Sequence, residues 1–132
     1  MKKEFLTNKN LLSEVHSWVK ECLSQQITED QFLTIIIVVN EIIQNIFRYT
    51  YQLEEHQPIN IKIKNDGVLQ FEVRDYGKPC HDQSFLDAET KISEEGGIGL
   101  KIIFENTIDF TIQPLDDGNI TIFSFDLSKT SQ

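Results

Sequence analysis

The hydrophobic period of this chain changes near residue 59, and that change constrains the fold more than any other feature. Ile59, Ile61 and Ile63 alternate with polar residues, and so do Leu69, Phe71 and Val73. Period two belongs to a strand with one face buried. Asn65-Asp66-Gly67 sits between the two runs and has the composition of a hairpin turn, so the segment predicts a pair of strands. Upstream the period is helical. Leu11, Leu12, Val15, Trp18, Val19 and Cys22 form one apolar stripe, with Asn8 or Asn10 placed to cap its start. Thr28 with Gln31 matches a capping box and Ile27 with Phe32 a hydrophobic staple, so a second helix is expected from near Thr28 to about Tyr51. Its β-branched run from Thr34 to Val39 would suit a strand on local propensity. Length and the polar spacing that follows favour a helix buried on most sides.

After Asp75 the sequence Tyr76-Gly77-Lys78-Pro79 reads as a turn, and a polar, acidic stretch runs on to Glu95. Gly96-Gly97-Ile98-Gly99 then precedes a short helical pattern from Leu100 to Glu105. Phe110 and Ile112, the turn Asp116-Asp117-Gly118-Asn119, and Ile120 and Ile122 predict a second hairpin. The order of elements predicts an α+β fold: a two-layer sandwich, with helices on one face of a mixed, mostly antiparallel sheet. A length of 132 residues suits a single domain over 1–132, with Lys129 to Gln132 fraying.

Composition removes several function classes. There are 12 Lys and Arg against 21 Asp and Glu, a net charge of −9. Nucleic acid and anionic membranes both require a basic face, so neither is expected as a partner. Cys22 and Cys80 have no metal-ligand spacing with His16, His56 or His81, which fits a reduced protein. Met1-Lys2-Lys3-Glu4 lacks the apolar run of a signal peptide, and Phe32 to Val39 is too short to span a bilayer. A cytoplasmic location is the expectation.

Three clusters can carry chemistry. Asn40, Glu41, Gln44, Asn45 and Arg48 make a polar stripe on the long apolar helix. Glu41 and Asn45 are one turn apart on one face. A carboxamide oxygen is a hard ligand suited to Mg²⁺, and a carboxylate can orient or deprotonate a hydroxyl. A solvated helix face with no further role has the same pattern. Asp75 ends a predicted strand two residues before Gly77. An ionised carboxylate accepts hydrogen bonds only, which suits an exocyclic amine such as that of adenine. A strand followed by a tight turn would look alike. Gly97 and Gly99 lead into a helix start, where backbone N–H groups can cradle a phosphate and Lys101 falls in the first turn. A flexible loop before a helix is the alternative.

A helical Glu-X-X-X-Asn, then a strand-end Asp-X-Gly, then Gly-X-Gly-Leu at a helix start, in that order, resembles the GHKL ATPase superfamily. Within it the small size and short loop look most like the anti-sigma factor serine/threonine kinases of bacterial partner-switching systems. The resemblance covers roughly residues 32–127. It implies ATP and Mg²⁺ as cofactors, Glu41 as catalytic base and Asn45 as the Mg²⁺ ligand. It places Asp75 on the adenine amine with Gly77 beside the ring, and Gly97, Gly99, Leu100 and Lys101 next to the triphosphate. Residues from about Cys80 to Glu95 would form the lid. The implied target is a Ser or Thr of a STAS-domain antagonist, with a sigma factor as second partner and a homodimer as a common assembly. A nucleotide-binding module without catalysis and a histidine-kinase-type catalytic domain are the alternatives. Tyr49 stands where many relatives carry His, and Pro79 replaces a Gly of the common Asp-X-Gly-X-Gly. Lys91 is the one basic residue of the acidic lid segment, so cationic help for the γ-phosphate must come from Lys101, Lys91 or elsewhere.

Overall fold

The computed structural model describes residues 1–79 and 99–129. In chain order they form β1 (Lys2–Leu6), α1 (Leu11–Leu23), α2 (Glu29–Asn45), a π-helical turn (Ile46–Thr50), β2 (Pro58–Asn65), β3 (Leu69–Asp75), α3 (Gly99–Asn106), β4 (Asp109–Leu115) and β5 (Gly118–Phe125), with a 3₁₀ turn at Leu127–Lys129. The five strands make one sheet in the order β1-β2-β3-β5-β4. The expected α+β layering is present, but every pairing among the described strands is antiparallel, where a mixed sheet was expected. β4 runs parallel to β3, yet β5 is inserted between them, so the crossover through α3 creates no parallel pair.

Alternation decides which face of the sheet is buried. Ile59, Ile61, Ile63, Leu69, Phe71 and Val73 are all buried, as their spacing requires. The second hairpin differs from its sequence reading. Asn119, Thr121, Phe123 and Phe125 are buried along one side of β5, and Ile120 and Ile122 lie half-buried on the opposite face beside the buried Ser124. The cause is register: Phe123 pairs with Phe71 and stacks on its ring at 5.2 Å, which turns the intervening isoleucines away from the helices. β1 was not expected from its charged sequence. Phe5 is its one buried residue, with its ring 5.7 Å from that of Trp18 on α1, and backbone pairing with β2 supplies the rest.

Helix α2 contacts both α1 and α3 and carries the largest share of the core. Its start is the capping box read from the sequence: Gln31 N–H donates to the Thr28 hydroxyl at 3.1 Å, and Thr28 N–H to the Gln31 side chain at 2.8 Å. The Gln31 amide also donates to Leu127 O at 2.9 Å, tying this end to the chain after β5. Asn10 occupies the N-cap of α1 without a side-chain bond, while the Asn8 side chain accepts from Asn10 N–H at 2.7 Å. Residues Glu29–Thr50 are long and apolar enough to cross a membrane by composition. Here they form the central core helix, which explains the same composition.

Candidate active site

The site is assembled where the end of α2 meets the end of β3. After Asn45 the helix widens into a π turn, closed by Tyr51 N–H donating to Ile46 O at 2.9 Å. Such turns are rare and recur at functional positions. It leaves Thr50 and Tyr51 against the turn that follows β3. A Cβ on Gly77 would collide with the Thr50 side-chain methyl, so this glycine is required for close approach of the two segments. Tyr51 is buried, and its hydroxyl accepts from Tyr76 N–H at 2.7 Å while donating to Pro58 O. Burial raises the Tyr51 pKa, against the pull of the Tyr76 N–H, so the hydroxyl keeps the proton it donates.

Asp75 is 1% exposed at the end of β3. Its Oδ1 accepts from the Asn119 amide and from Gly77 N–H, both at 3.1 Å. The backbone N–H of Asn119 also acts on this carboxyl, and Oδ2 accepts no side-chain hydrogen bond from a described residue. Burial pushes this carboxyl above the ordinary range, and the Asn119 amide, Gly77 N–H and Arg74 guanidinium pull it back. A second brace holds the strand end. Arg74 donates to the Asp75 carbonyl and pairs with Asp117 at 2.6 Å, and its guanidinium lies 4.1 Å from the Tyr76 ring centre. Gly118 has φ +148°, and a Cβ there would strike the Asp75 carbonyl. The turn between β4 and β5 is thereby locked onto the end of β3.

Glu41 and Asn45 are half-buried on α2 and have no side-chain hydrogen bond or ion pair among the described residues. Asn40, in the same stripe, has its Oδ1 buried without a partner among the described residues. Gln44 is half-buried and Arg48 is exposed. Gly99 and Leu100 open helix α3. Lys101 in that first turn is exposed, with Nζ 3.9 Å from Glu105.

The family profile of the histidine kinase-like ATPase domain matches residues 5–125. The chain belongs to this family. A histidine kinase domain from the blue-light activated histidine kinase of Erythrobacter litoralis EL346 has a similar structure, at 14% identity and a TM-score of 0.58. The alignment covers 91% of this chain and 61% of that one, and at this identity it speaks to the fold alone. No curated protein matches the sequence.

As a histidine kinase-like ATPase domain the chain is an ATP-binding domain, a GHKL member as its motif order implied. Of the residues singled out from sequence, Asp75 and Gly77 adjoin the C-terminal end of the α2 segment, and Glu41 and Asn45 lie one to two turns before it. Gly99, Leu100 and Lys101 start the helix that packs along α2. Gly97 and the expected lid, with Lys91, lie outside the described residues. Sequence reasoning missed Asn119, Tyr51 and Arg74. The turn Asp117-Gly118 signalled that a hairpin would form, but nothing in it says that the following Asn faces a carboxylate 44 positions earlier.

Proposed function

We propose that this domain is an ATP-dependent protein serine/threonine kinase of the partner-switching type, phosphorylating a STAS-domain antagonist and acting as an anti-sigma factor or related regulator. The observation that carries the nucleotide part is the Asp75 carboxylate, buried, anchored through Oδ1 and with Oδ2 accepting no side-chain hydrogen bond among the described residues. An acceptor-only oxygen of this kind matches the exocyclic amine of adenine. Glu41 is the candidate base for the target hydroxyl. It is partly exposed and carries no ion pair among the described residues, which suits a group that an incoming hydroxyl must reach. Asn45 would hold Mg²⁺ through its amide oxygen. One hard oxygen beside a carboxylate fits an ion that takes most of its ligands from phosphates and water. When bound, that ion would offset charge on the phosphates. Backbone N–H groups ahead of α3 are the candidates for holding the transferred group, a reaction governed by positioning and electrostatics.

The histidine kinase-like family match leaves room for a second reading, a catalytic domain that phosphorylates His. One experiment separates the two. The protein is incubated with γ-labelled ATP, Mg²⁺ and a panel of STAS-domain proteins or histidine-bearing helical hairpins. Acid-stable label on Ser or Thr supports the first reading, and acid-labile label on His supports the second. ATP binding without transfer to either would identify a nucleotide-dependent binding module.

A further inference from the structure

We propose that Asn119 is a positioning residue of the base-reading site: its amide fixes Oδ1 of Asp75, so that Oδ2 is the one acceptor presented to the nucleobase. The inference rests on the adenine reading of Asp75 given above. Asn119 is 2% exposed, and its Nδ2 donates both to Asp75 Oδ1 at 3.1 Å and to Lys78 O at 3.0 Å. One amide group therefore joins the carboxylate to the turn that follows it. Asn119 also pairs with Asp75 across β5 and β3, directly after Gly118, whose missing side chain lets the strands approach. A carboxylate with two equivalent oxygens could rotate about its last bond, or take up a proton and donate. The Asn119 and Gly77 donors oppose both, because each stabilises the ionised form and one orientation of it.

Three other polar groups surround Asp75 and would remain in a variant. Arg74 on β3 donates to its carbonyl, the Tyr51 hydroxyl faces it from the end of the α2 segment, and Asp117 reaches it through Arg74 from the β4–β5 turn. Gly77 N–H also stays. Removing Asn119 alone is therefore a graded test.

Asn119→Leu keeps the side-chain volume and removes the donor. Asn119→Ala is the second variant, should the leucine disturb folding. The Asp75 carboxyl is titrated by carbon-detected NMR in the nucleotide-free protein. Its midpoint is expected to rise by about one pH unit in both variants, a ten-fold gain in proton affinity. An unchanged midpoint would overturn the proposal. ATP and inosine triphosphate are then titrated calorimetrically at neutral pH. Inosine has a carbonyl in place of the adenine amine, so two acceptors oppose each other when Asp75 is ionised. The preference of the native protein for ATP is expected to fall about ten-fold in the variants, the size of one hydrogen bond to a charged group. An equal loss for both nucleotides would show a merely structural Asn119. Binding of neither nucleotide by the native protein would remove the adenine reading itself, and the NMR titration would still report whether Asn119 governs the carboxylate.

Discussion

The two carboxylates of the site are held in opposite ways. Asp75 is buried and bonded, and its strand end is braced by Arg74, Gly118 and the Tyr51 hydroxyl. Glu41 stands half-exposed on a helix, with no partner among the described residues, and Asn45 one turn on is in the same condition. The first arrangement is built before any ligand arrives. The second is left for phosphates, a cation or a substrate to complete. Recognition of a flat base needs a fixed acceptor, because a hydrogen bond to a buried group discriminates only if that group cannot relax. Proton transfer needs a group that an incoming hydroxyl can reach. Under the proposed roles, rigidity on one side and access on the other match these different tasks.

The largest effect is expected at the open end. Glu41→Gln should lower phosphoryl transfer about 10²–10⁴-fold while ATP affinity stays within a few-fold, measured by labelled transfer and calorimetry on the same sample. Transfer at the native rate would remove Glu41 as the base. At the braced end the first effect is on stability. Gly118→Ala should cost roughly 2–4 kcal/mol in urea unfolding, from positive φ and collision with the Asp75 carbonyl. Gly67→Ala tests the contrast. Gly67 also has positive φ, at +108°, but open space around it, so the cost should be nearer 1 kcal/mol. Equal losses would show that backbone conformation, not the brace, governs both turns.

Asp75→Asn should weaken ATP binding about 10–100-fold, the range for a hydrogen bond to a charged group. Its pH dependence gives a sharper test. The folded-state pKa of Asp75 is raised above about 3.8, so the folded chain holds this proton more tightly than the unfolded one. Ionisation therefore costs stability as pH rises from that value through the folded one, and the full cost is present above it. The stability of the native protein relative to Asp75→Asn should fall across that window and then level off, read by denaturation at a series of pH values. ATP binding should run the other way, lost as pH falls through the same window. A stability difference that does not vary with pH would mean that the Asp75 carboxyl is not desolvated. The smallest effect is expected at Lys101. Its exposed contact with Glu105 is worth under about 0.5 kcal/mol, so Lys101→Ala should leave thermal stability unchanged. A drop in ATP affinity in that variant would identify a phosphate contact.

Much of this architecture was legible because local rules and tertiary packing agree. The capping box at Thr28 and Gln31, the alternation through β2 and β3 and the glycine turn between them each need only neighbours in sequence. The same holds for Glu41 and Asn45, since a four-residue spacing on a helix places them on one face. Where local rules were silent, the reading failed. Lys2-Lys3-Glu4 has no strand pattern, and β1 exists because β2 offers an edge to pair with. Ile120 and Ile122 have the pattern of a buried face, but the stacking of Phe123 on Phe71 sets the opposite register.

The sequence by itself determined the order of helices and hairpins, the helix face that carries Glu41 and Asn45, and the strand end that carries Asp75. Periodicity and capping are short-range, so they can be read along the chain. Tertiary structure alone decided that Asn119 would bond Asp75, that Tyr51 would bridge Pro58 and Tyr76, and that Gly77 would meet Thr50. Those contacts join residues that share no local pattern. They arise only when β5 is inserted beside β3 and the π turn closes over the end of the sheet, because a buried polar group finds its partner wherever packing brings one.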